Sequence, residues 1–219
     1  MGNTKPIHFS FDLDGTLIDS VPLMEKSWHN VCDVLKINKS WQDYKKNIGL
    51  SFADICKNLG LEDLENEISK VYFNFNIENF NLIKPMPGID EFTKTISNIP
   101  SWSVITSKPR LTTCPILDNL GLFPTVIVTP DDVKKGKPNS SSAEFLRNKI
   151  GNKYDFYYVG DMLTDHLFAI NPHFKFIRYE HKTRSQIGDQ NVYKNILNPH
   201  KKVTNLNELA NLINDLISN

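Results

Sequence analysis

A chain of 219 residues with 40% hydrophobic side chains suits one domain of ordinary size, or a core with a smaller inserted unit, and carries enough apolar material for a real core. Lys plus Arg and Asp plus Glu both number 25, so the net charge is zero and excludes a global attraction to nucleic acid or to an anionic membrane. No apolar run approaches the roughly 20 residues that span a bilayer, the start "MGNTKPIHF" has no secretory apolar stretch, and three widely spaced cysteines without a C-x-x-C argue against a disulfide framework or a zinc site, so a soluble cytoplasmic protein is expected.

The first predicted element is a strand, "IHFSF" at 7–11. Two carboxylates, Asp12 and Asp14, follow it at once, and Gly15 then supplies a turn. Gly15 ends the strand there, so both carboxylates are able to turn into one site.

The stretch that follows is far longer than the two to six residues of an ordinary α/β loop. Val21, Met24, Trp28, Val31 and Leu35 form the stripe of an amphipathic helix. Phe52, Ile55, Cys56 and Leu59 form a second stripe, and Leu64, Ile68, Val71, Tyr72 and Phe75 a third. Residues 17–84 therefore read as a small helical bundle inserted after the first strand, with "NIGLSF" at 47–52 as a turn between two of its helices and "KPMPG" at 84–88 as the return linker.

Strands and helices then alternate. The predicted strands are "WSVIT" at 102–106, "TVIVT" at 125–129, "FYYVG" at 156–160 and "KFIRY" at 175–179, and the helices are 89–98, 112–120, 141–150 and 163–170. Near-continuous apolar strands separated by helices predict a parallel α/β sheet covered on both faces. The polar stretch 181–205 reads as loop, and Leu206, Leu209, Leu212, Ile213 and Leu216 predict a terminal helix over 206–218.

Open α/β sheets bind ligands outside the carboxyl ends of their strands. Four polar groups fall there: Asp12 and Asp14 after the first strand, Thr106 and Ser107 after the second, Lys137 in "KKGKP" after the third, and Asp161 with Asp165 in "GDMLTD" after the fourth. Crowded carboxylates need a cation, and a hard divalent ion such as Mg²⁺ takes oxygen ligands. A lysine suits a phosphate. One carboxylate is able to attack a phosphoryl group while a second moves a proton. Lys134 and Lys135 read as a solvated charge run beside Lys137, and Lys108, Arg110 and His166 as solvated or structural groups.

With "DLDGTLIDS", Thr106, Lys137 and "GDMLTD" in this order, the chain resembles the haloacid dehalogenase superfamily, in its phosphoglycolate phosphatase and β-phosphoglucomutase branch. The resemblance implies a Rossmann-like parallel-sheet core at 1–16 and 85–219 and a helical cap domain at 17–84. It implies Asp12 as nucleophile, Asp14 as general acid and base, and Thr106, Ser107 and Lys137 as the phosphate-binding groups. Mg²⁺ would be held by Asp12, the main-chain carbonyl of Asp14, and Asp161, with Asp165 at a water-mediated position. The implied activity is Mg²⁺-dependent hydrolysis of a small phosphomonoester through an aspartyl-phosphate on Asp12. The alternatives are a phosphomutase of the β-phosphoglucomutase type and a non-catalytic phosphate-binding regulatory module. The implied partner is a small phosphorylated metabolite, with no nucleic acid and no membrane, and the chain a monomer or homodimer.

Overall fold

The computed structural model describes residues 5–181 and 199–218. Its centre is strand β1 (Ile7–Phe11), which is almost wholly buried. The strand alternates aromatic and polar side chains, so its two faces differ although both are covered. Phe9 and Phe11 enter one apolar cluster. On the other face His8 hydrogen-bonds Ser101 and Ser103 at 3.0 Å each, and the Ser103 hydroxyl donates to Ser10 at 2.8 Å.

The remaining strands of the main sheet are β4 (Trp102–Ile105), β5 (Val126–Val128), β6 (Asp155–Gly160), β7 (Lys175–Tyr179) and β8 (Lys201–Val203), numbered in chain order after a small pair, β2 (Ile18–Asp19) and β3 (Lys84–Pro85). Their spatial order is β5-β4-β1-β6-β7-β8, all parallel. Relabelled by position within this sheet the order is 3-2-1-4-5-6, the doubly wound arrangement whose winding reverses between β1 and β6. Helices α5 (Ile89–Ser97), α6 (Arg110–Asn119) and α9 (Leu206–Ser218) cover the Phe9 face, and α7 (Ser141–Ile150) and α8 (Leu163–Ile170) cover the other.

Between β2 and β3 lie the inserted helices α1 (Val21–Leu35), α2 (Trp41–Lys45), α3 (Phe52–Asn58) and α4 (Glu65–Glu78). They share their own core, built on Trp28, Trp41, Tyr44, Ile68 and Tyr72. The Ser27 hydroxyl donates to Asn76 at 2.5 Å, pinning α1 to α4 inside that core. Both connections to the sheet pass through the antiparallel β2–β3 pair, in which Ile18 faces Pro85 and Asp19 faces Lys84.

The structure adds elements that periodicity does not reveal. Helix α2 is a single turn, fixed by a capping box in which Ser40 and Asp43 satisfy each other's backbone N–H. Strand β8 lies inside the stretch expected as loop, which corrects that expectation for Lys201–Val203; residues 182–198 of the same stretch lie outside the described residues. Two exposed lysines mark β8 as an edge strand protected from further pairing. No helix among the described residues is long and apolar enough to cross a membrane.

The buried His8 makes the fold acid-sensitive. Burial brings its pKa down from 6.5 to about 4, so the unfolded chain takes up a proton that the folded chain refuses between those values. The stability His8 contributes is therefore full above 6.5 and is lost as pH falls toward 4, by about 3 kcal/mol. Urea unfolding at pH 7 and pH 4 should show this loss in the wild type, and His8→Gln should flatten it by about that amount.

Candidate active site

The site forms where the winding reverses. The Asp12 N–H donates to the Val159 carbonyl at 2.9 Å, so the β1–β6 ladder runs one residue past β1. The alternation that puts His8 and Ser10 on one face puts Asp12 there too, beside Tyr158. Gly15, at φ 94°, then ends the run, and its N–H donates forward to the Ile18 carbonyl at 2.7 Å. This turn brings Asp14 round to the same pocket that Asp12 lines.

Lys137 links the two sides of the site. Lys134 and Lys135 are exposed, whereas Lys137 is buried. Its ammonium donates to Asp12 Oδ1 at 2.5 Å, Asp165 Oδ1 at 2.7 Å and the Tyr158 hydroxyl at 2.9 Å, which uses all three of its protons. Burial opposes the charge, but Asp12 and Asp165 outweigh it and hold the lysine pKa above its ordinary range. Asp12 moves the other way from a surface carboxylate. Burial lifts its pKa well above the usual value, against the pull of Lys137 and with the push of Asp165 and Asp161.

Asp165 is fixed from behind as well. Its Oδ2 accepts the Met162 N–H at 3.0 Å and so closes the first turn of α8. Gly160 makes room for it: a Cβ at that position would stand 2.5 Å from Asp165 Cβ and Cγ. The carboxylate oxygens of Asp12, Asp161 and Asp165 come within 4.8 Å of one another, and all three residues are buried. Three oxygen donors so placed fit a hard divalent cation.

Thr106 and Ser107 line the same pocket just past β4. Thr106 Oγ1 accepts the Lys108 N–H at 3.1 Å, and the Ser107 hydroxyl approaches the Gly49 carbonyl at 3.4 Å. Gly49, at φ 99°, lets the expected turn of the inserted helices bend down onto the sheet. Thus Asp12, Asp14, Thr106, Ser107, Lys137 and Asp165 line one pocket, with Asp161 beside Asp12.

Three groups go beyond the sequence reading. Lys108, expected to be solvated or structural, is buried with its ammonium 3.2 Å from Asp14, whose carboxylate also accepts from the Ser20 hydroxyl. Tyr158, read only as a strand residue, is the third partner of Lys137. Tyr44 and Tyr72, joined hydroxyl to hydroxyl at 3.0 Å, line the pocket from above. Arg110 stays outside, paired with Asp132 at 2.6 Å, and His166 packs against Phe176.

The chain matches the family model described as haloacid dehalogenase-like hydrolase over residues 10–179. It is 29% identical over 178 residues to 2-deoxyglucose-6-phosphate phosphatase 1 of Saccharomyces cerevisiae, covering 68% of this chain and 69% of that protein. It is 28% identical over 165 residues to glycerol-1-phosphate phosphohydrolase 1 of the same organism, where the match covers 68% of this chain and 63% of the relative, less than two thirds of its length. A crystal structure of a hydrolase from Pseudomonas syringae superposes with a TM-score of 0.79 at 24% identity, over 96% of this chain and 99% of that one, which is a likeness of fold.

The lysine network makes a stability prediction. Tyr158→Phe removes one acceptor from a buried ammonium and should cost about 1–3 kcal/mol in urea unfolding. Gly160→Ala should cost a similar amount, about 1–3 kcal/mol, because the added methyl group overpacks against Asp165. Lys134→Ala, on the exposed part of the same loop, should stay within about 0.5 kcal/mol of wild type.

Proposed function

The chain belongs to the haloacid dehalogenase-like hydrolases, and from that premise we propose that it hydrolyses a small phosphomonoester through an aspartyl-phosphate on Asp12, with Mg²⁺ as its metal. The observation that carries this reading is the buried Asp12 carboxylate, held by Lys137 at 2.5 Å and flanked by Asp161 and Asp165. The similarity to two proteins named for phosphate-ester hydrolysis supports it.

In the proposed reaction a carboxylate oxygen of Asp12 attacks phosphorus, and the bond from phosphorus to the leaving oxygen breaks. Asp14, oriented by Lys108 and Ser20, gives the leaving oxygen a proton. Water then attacks the phosphoryl group, Asp14 takes the water's proton, and the bond to Asp12 breaks to release inorganic phosphate. Lys137, Thr106 and Ser107 hold the phosphoryl oxygens through the sequence. Asp12, Asp161 and the Asp14 main-chain carbonyl, with Asp165 alongside, would hold Mg²⁺, which when bound offsets the crowding of negative charge.

The inserted helices act as the cap in this reading. We place the cap at 17–84 and the core at 1–16 and 85–219; Leu17 and Ile18 pack with the core, so cap movement begins beyond β2. Contact between Ser107 and Gly49 closes the cap over the site, excluding bulk water during attack on phosphorus.

Three measurements test the assignment. Quenched mass spectrometry with acetyl phosphate should place phosphate on Asp12 in the wild type and on no residue in Asp12→Asn. Asp14→Asn should slow turnover of an alkyl phosphate by about 10²–10⁴-fold. Chelation should abolish phosphate release and Mg²⁺ should restore it. Phosphate on another residue, or full activity in excess chelator, contradicts the mechanism.

A further inference from the structure

The two halves of the pocket differ in charge. The sheet supplies Asp12, Asp14 and Asp165 against Lys108 and Lys137. The cap supplies the apolar side chains of Met24, Ile48, Leu50, Phe52 and Ile55 together with the phenols of Tyr44 and Tyr72, and none of its lining residues carries a charge. The cavity between them holds about 70 Å³ and opens toward a wider groove of about 800 Å³ that shares Phe52, Phe73, Ser107, Pro109 and Lys137 with it.

A leaving group with its own negative charge would meet this surface at a disadvantage. Burying an ion without a paired counter-ion is costly, and a carboxylate or second phosphate pressed against the cap would find no cation there. Lys137 already serves Asp12, Asp165 and, in the proposed reaction, the transferring phosphoryl group, so it is not free for a second charge. Only Lys108 is left among the lining cations, and drawing it away would undo its 3.2 Å contact with Asp14, the group that must deliver the proton.

The phenol pair offers something else. Two hydroxyl groups carry two protons, and their mutual bond uses one. The other is available to a ligand oxygen, whichever tyrosine carries it. Burial, reinforced by the charge on Asp14, holds both phenols above the ordinary tyrosine range, so the pair remains a donor at any working pH.

We propose that the leaving group is a small uncharged alcohol bearing a further hydroxyl, a polyol phosphate rather than a carboxylated or bisphosphorylated one, and that the Tyr44–Tyr72 pair reads that hydroxyl. This deepens the phosphatase reading of the same site and rests on it. It also disfavours the phosphomutase alternative, since none of the cap residues lining this pocket is a cation that would hold a second phosphate.

The test is a matched panel with Mg²⁺: glycerol 1-phosphate, propyl phosphate, phosphoglycolate and pyrophosphate, with acetyl phosphate as a carrier-independent control. Wild-type kcat/KM for glycerol 1-phosphate should exceed those for phosphoglycolate and pyrophosphate by about tenfold or more, and that for propyl phosphate by about tenfold. The double variant Tyr44→Phe/Tyr72→Phe keeps the shape of the pair and removes both partners of its bond, a change that buried hydrogen bonds tolerate. It should bring the glycerol-to-propyl ratio close to one. An unchanged ratio, or a wild type that prefers phosphoglycolate or pyrophosphate, overturns the inference while acetyl phosphate turnover leaves the phosphatase reading standing. Failure on acetyl phosphate as well overturns both.

Discussion

The bond between the Lys137 ammonium and the Asp12 carboxylate is the constraint around which the site is arranged. A buried carboxylate beside two others is unfavourable, and a buried lysine is equally so; each is tolerated because it faces the other. That requirement reaches into the sheet. Tyr158 must stand on the Asp12 face of β6 to take the third proton, and Gly160 must lack a side chain so that Asp165 fits. The parallel order that places β1 beside β6 is what brings these groups within hydrogen-bond reach, although they are far apart along the chain.

Core and cap divide the chemical work. The core concentrates charge at the strand ends, where bond making and breaking at phosphorus need it. The cap presents a neutral surface, apolar apart from two phenols, which in the proposed function meets only the remainder of the substrate. Such a division lets the selecting surface vary without disturbing the reacting groups. The charged contacts of the pocket, Lys108 with Asp14 and Lys137 with Asp12 and Asp165, all belong to the core side.

The sequence made the central strands legible because a strand buried on both faces must be apolar nearly throughout. It pointed to Asp12, Asp14, Thr106 and Asp161 because polar residues directly after such strands have few structural reasons to be there, and to Lys137, a loop beyond its strand, because of its G-K-P setting. Three kinds of feature escaped. Helix α2 and the strands β2, β3 and β8 are too short to show a period. Lys108 lies between Ser107 and Pro109 in what reads as an exposed loop, and only the fold buries it against Asp14. Tyr72 and Tyr158 sit in hydrophobic patterns where an aromatic ring is expected, Tyr44 sits in the short helix α2, and nothing in one sequence distinguishes a phenol used for its ring from one used for its hydroxyl.

The small β2–β3 pair has a consequence for how this architecture tolerates change. The chain leaves the sheet at Asp19 and returns at Lys84, and those two residues are cross-strand neighbours. To the sheet, everything between them is one loop with its ends already joined. The entropy of closing a loop grows only with the logarithm of its length, so replacing the helices by a longer or shorter segment changes that cost by about 0.6 kcal/mol per doubling. A tight hairpin linking Asp19 to Lys84 would leave the main-sheet ladder intact. The anchoring ribbon thus makes the bundle a graftable module, exchangeable between related chains without re-registering a single strand of the sheet beneath it.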